Sequence, residues 1–157
     1  MPNPGVIDNE PYDSNDAGLI GVIKDLNETI KPKETYEAIA GYRCVAFENV
    51  TQGDALYCRQ SDGKVGKAIA NDTFDKALVA GFAQTTKSTG QLVQVITRGL
   101  LATSGLDQGD DYYLSASSSG AITKTAPSTA SQYISRIGEA ANSAQLIIKI
   151  EPPILLR

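Results

Sequence analysis

The chain has 157 residues, 14 basic and 18 acidic side chains, a formal net charge of −4 and 41% hydrophobic residues, a size that suits one medium domain or two small ones. The acids are densest before Glu37 and no basic cluster suited to nucleic acid stands out. Histidine is absent, which removes the commonest general base and the commonest metal ligand and prunes most enzyme classes.

No window approaches the roughly 18 consecutive apolar residues of a membrane span, and "MPNPGVIDNEPYD" lacks the basic and apolar regions of a signal peptide. A soluble chain made in the cytosol is expected. Residues 1–18 carry Pro2, Pro4 and Pro11 with Asp8, Glu10, Asp13 and Asp16, too little apolar surface to fold alone, which reads as an extended arm. Over Ala17 to Ile30 the residues Leu19, Ile20, Val22, Ile23, Leu26 and Ile30 recur at helical spacing; Gly21 weakens that helix by about 1 kcal/mol and Pro32 ends it. Its apolar face packs either on the following domain or on a partner subunit.

Beyond Lys33 the texture changes to short β-branched and aromatic runs punctuated by Gly, Asp, Asn and Ser, the pattern of an all-β domain without helix. The expected strands are "YEAIA", "RCVAFE", "ALYCRQ", "KVGKA", "LVAGFAQ", "LVQVITRG", "DYYLSA", "AITKT", "ISRIGEA" and "QLIIKIE". Cys44 and Cys58 fall in neighbouring strands, where a disulfide is geometrically possible and two thiols are favoured in a reducing compartment.

The chain repeats itself. Gly53 and Asp54 match Gly109 and Asp110, Gly63 matches Gly120, and Gly81 matches Gly138. Each copy runs through a QGD turn, a strand reaching Tyr57 or Tyr113, a Gly turn, a second strand, then "VAGFAQ" or "SRIGEA", a variable connection, and "QLVQVI" or "QLIIKI". The expected fold is therefore all-β: an arm with a short helix at 1–33, one antiparallel β-unit at 34–99 and a second at 100–157, each sandwich- or barrel-like. Gly53 and Gly109 read as turn residues, Gly81 and Gly138 as bulges or close backbone approaches. Alternation puts Val93 and Val95 on one face opposite Leu92 and Gln94, and Leu146 with Ile148 opposite Ile147 and Lys149.

Candidate chemistry is sparse. Asp107, Asp110 and Asp111 could ligate a hard cation but lack the spacing of an EF-hand loop and read better as a solvated turn. The serines of "SASSSGAITKTAPSTAS" lack a nucleophile-elbow pattern. Tyr112 and Tyr113 could stack on a sugar, but adjacent strand residues face opposite ways, so at least one belongs to the core. Ile154, Leu155 and Leu156 after Pro152 and Pro153 need cover, either from the domain or from a neighbouring subunit. No catalytic residue, cofactor or metal site is expected.

The stretch "LDQGDDYYLSASSSGAITKTAPSTASQYISRIGEAANSAQLIIKIEPPILL" resembles a module of tailed-phage structural proteins, with its "G..YYLS...G.IT..AP" hairpin followed by "..IG.A.....L.I.I.P.I". The preceding half, from "TQGDALYC" to "VITRG", is similar to the same module and to small phage capsid decoration (cement) proteins, so the resemblance spans residues 36–156. It implies a β-rich, non-enzymatic homotrimer, made in the host cytoplasm and displayed on the capsid exterior, whose partner is the major capsid protein and which binds neither nucleic acid nor membrane. The contact residues it suggests are Val6, Ile7, Tyr12, Leu19, Ile20, Ile23 and Leu26 in the arm and Ile154, Leu155 and Leu156 at the C-terminus. Two alternatives stand beside it: a head-fibre or tail-fibre component, and a carbohydrate-binding or hydrolytic β-domain using Tyr112 or Tyr113 with a carboxylate.

Overall fold

A computed structural model of the chain describes residues 40–157, which form one compact unit. The expected arm, its helix and most of "YEAIA" lie outside the described residues.

The first five strands are β1 (Gly41–Val45), β2 (Ala55–Cys58), β3 (Val65–Lys67), β4 (Gly81–Ala83) and β5 (Leu92–Ile96), all antiparallel in the order β1-β5-β4-β2-β3. The second sheet holds β6 (Gly99–Ala102), β7 (Asp111–Leu114), β8 (Ile122–Thr123), β10 (Arg136–Asn142) and β11 (Gln145–Ile148), in the order β6-β11-β10-β7-β8. Counted within its own sheet, each unit has the same strand order, first-fifth-fourth-second-third. The repeat in the sequence is a repeat of topology.

The turn chemistry explains the match. Gly53 and Gly109 take φ of +91° and +86°, where a side chain is disfavoured. Each donates its N–H to the equivalent carbonyl, Gly53 to Ala83 at 2.8 Å and Gly109 to Ala140 at 2.8 Å. A Cβ on Gly81 would lie 2.6 Å from the Ile96 carbonyl oxygen, and one on Gly138 2.3 Å from that of Ile147. Both glycines let the fourth strand press against the fifth, and the second copy also shifts register between Arg136 and Gly138.

Sheet one curls until its edges meet: Ala46, just past β1, bridges Val65 of β3 in parallel, and the Phe47 N–H donates to the Val65 carbonyl at 2.9 Å. The inside of this barrel-like closure is filled by Leu56, Val65, Ala83, Val93 and Val95, with Ala46 and Val50 from the linking segment. The alternation expected along β5 holds, with Val93 and Val95 inside and Leu92 exposed.

A second core joins the two sheets. Tyr57, Val79 and Phe82 of the first unit pack with Leu101, Tyr112, Leu114, Ile137, Leu146 and Ile148 of the second. Backbone bonds stitch the same junction: Ala55 donates to Gly120 at 2.8 Å, Gly120 to Ala68 at 2.7 Å, and Ala70 to Ser115 at 3.0 Å. The two units thus share apolar burial and do not stand as separate lobes.

Three elements depart from expectation. One turn of helix, α1 (Phe74–Ala77), forms where none was expected, because the Thr73 side chain caps it by accepting from the Lys76 N–H and Lys76 pairs with Asp72 four residues earlier. "LVQVITRG" is not one strand: it stops at Ile96, and Gly99 at φ +96° lets the chain leave the first sheet and begin β6 in the second. A two-stranded ribbon pairs β9 (Tyr133–Ile134) with β12 (Ile154–Leu155), in the register Tyr133 to Leu155 and Ile134 to Ile154.

Candidate interaction surface

The C-terminal triplet is the one part of the expected contact set that falls within the described residues; Val6, Ile7, Tyr12, Leu19, Ile20, Ile23 and Leu26 do not. The chain positions the triplet by a turn and two prolines. Pro153 is buried and anchors the segment, and Leu156 both donates to the Gln132 carbonyl at 2.8 Å and accepts from the Ser131 N–H at 2.9 Å. Ser131 itself sits at φ +71°, which turns the chain into β9.

Held this way, Ile154 is 64% exposed and Leu155 43% exposed, while Leu156 is half-buried. Successive strand residues face opposite ways, so β12 presents apolar surface on both faces. Nearby in β9, Tyr133 makes an edge contact with Phe74 of α1 at 6.1 Å between ring centroids, and Phe74 and Leu78 are themselves exposed. The ribbon is tied into the body on its other side, where Tyr133 donates to the Ala70 carbonyl at 2.8 Å and the buried Ser135 hydroxyl donates to the Ala77 carbonyl at 2.8 Å.

The groups with chemical potential elsewhere are engaged structurally. Asp107 and Asp110 both accept from the Lys124 ammonium, and Asp111 accepts from Arg136 at 2.6 Å. Arg136 holds the Asp111 carboxyl below its ordinary range, and the Asp107 partner raises Lys124. Asp62 is lowered to about 2 by its paired hydrogen bonds from Arg59, whose guanidinium lies 3.9 Å over the Phe47 ring. Burial raises Asp54 despite the bond it accepts from the Thr51 N–H at 2.8 Å. Among the described residues no cluster of His, Cys, Asp or Glu is arranged to hold a metal ion, and no helix is long and apolar enough to cross a membrane.

Tyr112 is buried, its hydroxyl accepting from the Asp107 N–H at 2.9 Å, which leaves Tyr113 alone on the outer face beside Arg136. Cys44 and Cys58 are both free thiols; Cys44 donates to the Gly63 carbonyl, and burial pushes its thiol pKa up. The serines of the β7–β8 turn serve the turn itself, Ser115 Oγ accepting from the N–H groups of Ser117 and Ser118. One cleft of about 300 Å³ is lined mostly by small residues between Ser115 and Gln132, and one of about 310 Å³ by Cys58, Gln60, Asp75, Leu78, Val79 and Ala80.

The exposed strand β12 was foreseeable only as an apolar triplet needing cover, since its partner β9 lies about twenty residues away. No protein-family model matches the chain, and a search of curated proteins finds no match.

Proposed function

We propose that this protein is a structural component of a phage particle that binds the outside of the capsid as a homotrimer and stabilises the shell. The observation carrying this reading is the pairing of a duplicated antiparallel unit on one shared core with an apolar C-terminal strand that is exposed among the described residues. A body stiffened by a shared core suits a clamp, because little conformational freedom remains to be lost when it binds. The partner is the major capsid protein, and the arm over residues 1–33 supplies further contacts.

Three attachment points per trimer multiply weak contacts by effective concentration. Binding the assembled shell and not free subunits then stabilises the particle by mass action, about 2.7 kcal/mol per site at a hundred times Kd. Tandem units of one topology also suit a segment of a head fibre or tail fibre, where repeated modules stack along an axis.

The test is to mix the full chain with expanded heads of the phage that encodes it, sediment the heads and measure the temperature at which they release DNA. Saturable co-sedimentation with a raised release temperature is expected. Failure to sediment with heads overturns the reading, and recovery on tails or fibres moves it to the second. Binding of a glycan array lost in Tyr113→Ala would instead favour a carbohydrate-binding domain.

A further inference from the structure

The described part of the chain ends in one strand edge without a partner and opens its second sheet with another. In the β9–β12 ribbon, Leu156 bonds to Gln132 and Ser131, so alternate residues turn the N–H and C=O of Leu155 away from β9. In the second sheet, Thr103 donates to the Ala144 carbonyl at 2.9 Å, which sets the alternation along β6: Gly99 and Leu101 face β11, and Leu100 and Ala102 turn their N–H and C=O outward. Among the described residues nothing bonds to those outward groups. In the first sheet the corresponding strand, β1, is closed by the bridge from Ala46 to Val65. In the second sheet no such bridge occurs among the described residues.

The two edges differ in length and share a character. β12 is two residues, Ile154–Leu155, entered from Pro152 and Pro153, which have no N–H; β6 offers four, Gly99–Ala102. Each edge is apolar: Ile154 is 64% exposed on β12, and Leu100 is 54% exposed on β6, beside half-buried Ile147. Neither Ile154–Leu155 nor Gly99–Ala102 carries a charged side chain, one of the devices with which natural edges resist pairing; the two prolines before β12 limit its pairing to a short stretch. Exposed apolar edges that stay unpaired among the described residues are complementary between copies.

We propose that β12 of one copy adds as an antiparallel strand to β6 of the next, extending the second sheet from five strands to six. The contact is head-to-tail, so it closes into a ring when the rotation per step divides a full turn. This rests on the trimer of the preceding section, for which it names the interface, and it does not require the capsid.

The test measures native mass by light scattering for the full chain and two variants, Leu100→Lys and Leu155→Glu. Both change outward-facing strand positions that are already exposed, and circular dichroism checks that each remains folded. The full chain should weigh about 50 kDa as three 16.6-kDa copies, and each variant should fall to the mass of one chain. Mixing the variants should restore association, because each retains the edge the other has lost and the altered edges carry opposite charges. The double variant should also associate. A trimer that survives in each single variant overturns the strand addition while leaving the capsid reading standing. Loss of association in Leu155→Glu alone also overturns it, since β12 would then pair with something other than β6. If the variants dissociate as expected but the full chain ignores heads, the capsid reading falls and this one stands.

Discussion

Gly63 and Gly120 occupy the same place in the two repeats, with φ of +72° and +80°, yet their surroundings differ. A Cβ on Gly63 meets nothing within 4 Å, whereas one on Gly120 lies 2.9 Å from Asp54 Cγ, 3.0 Å from Asp54 Oδ1 and 3.1 Å from Lys67 Cγ. Gly120 cannot retreat without loosening its bonds to Ala55 and Ala68, and Asp54 cannot retreat without losing the Thr51 N–H. Gly63→Ala carries only the left-handed backbone cost, about 1–2 kcal/mol, offset by about 0.4–1 kcal/mol from the stiffer unfolded chain. Gly120→Ala carries the same plus about 1–3 kcal/mol of overpacking at the junction between the units. Urea unfolding of both variants reads the difference directly, through midpoints at constant slope. In an Asp54→Ala background the excess at Gly120 should shrink toward the Gly63 value, a coupling that a double-mutant cycle isolates. Equal destabilisation by the two substitutions, within about 0.5 kcal/mol, would refute the docking of the second unit's turn between β2 and β3.

Phe82→Ala should lower stability by about 3–5 kcal/mol, and calorimetry of the variant should still show one transition, since Phe82 belongs to the core both units share. Two separated transitions would mean independent units. Ser135→Ala leaves the Ala77 carbonyl without its buried donor and should cost about 1–3 kcal/mol, read by the same urea titration. The acids act with opposite signs. Asp62 is depressed in the folded state, so its contribution is complete above 3.8 and disappears as pH falls toward about 2; Asp62→Asn should flatten the acid limb of a melting-temperature profile over that window. Asp54 is raised, so its ionisation opposes folding as pH rises through its folded value, and Asp54→Asn should gain relative to the parent chain above that value. A profile shifted alike by both substitutions would contradict these assignments.

The repeat was legible because it is written in turn chemistry. A glycine with positive φ after Gln and before Asp is a local requirement, and local requirements survive in sequence whatever the distant contacts do. The alternation along "QLVQVI" and "QLIIKI" was legible for the same reason, each residue's face being set by its neighbours. What escaped was tertiary. The break after Ile96 depends on Gly99 turning the chain from one sheet to the other, while "LVQVITRG" carries no Pro, Asn or Asp to mark it. The helical turn at 74–77 is four residues long, below what periodicity can resolve, and is set by a cap and one ion pair. The β9–β12 ribbon joins segments about twenty residues apart. Its pairing decides that Pro153 goes inside and Ile154 stays out, a choice the triplet "ILL" does not contain. Tyr112 and Tyr113 illustrate both limits: alternation placed one inward, and only the fold identified it as Tyr112.

Electron cryo-microscopy of heads lacking the protein, imaged before and after the purified chain is added, tests the proposed function most directly. New density is expected on the outer surface with local threefold symmetry, into which three copies of residues 40–157 fit with the C-terminal strand of each against its neighbour. Heads whose outer surface is unchanged at saturating protein would contradict it.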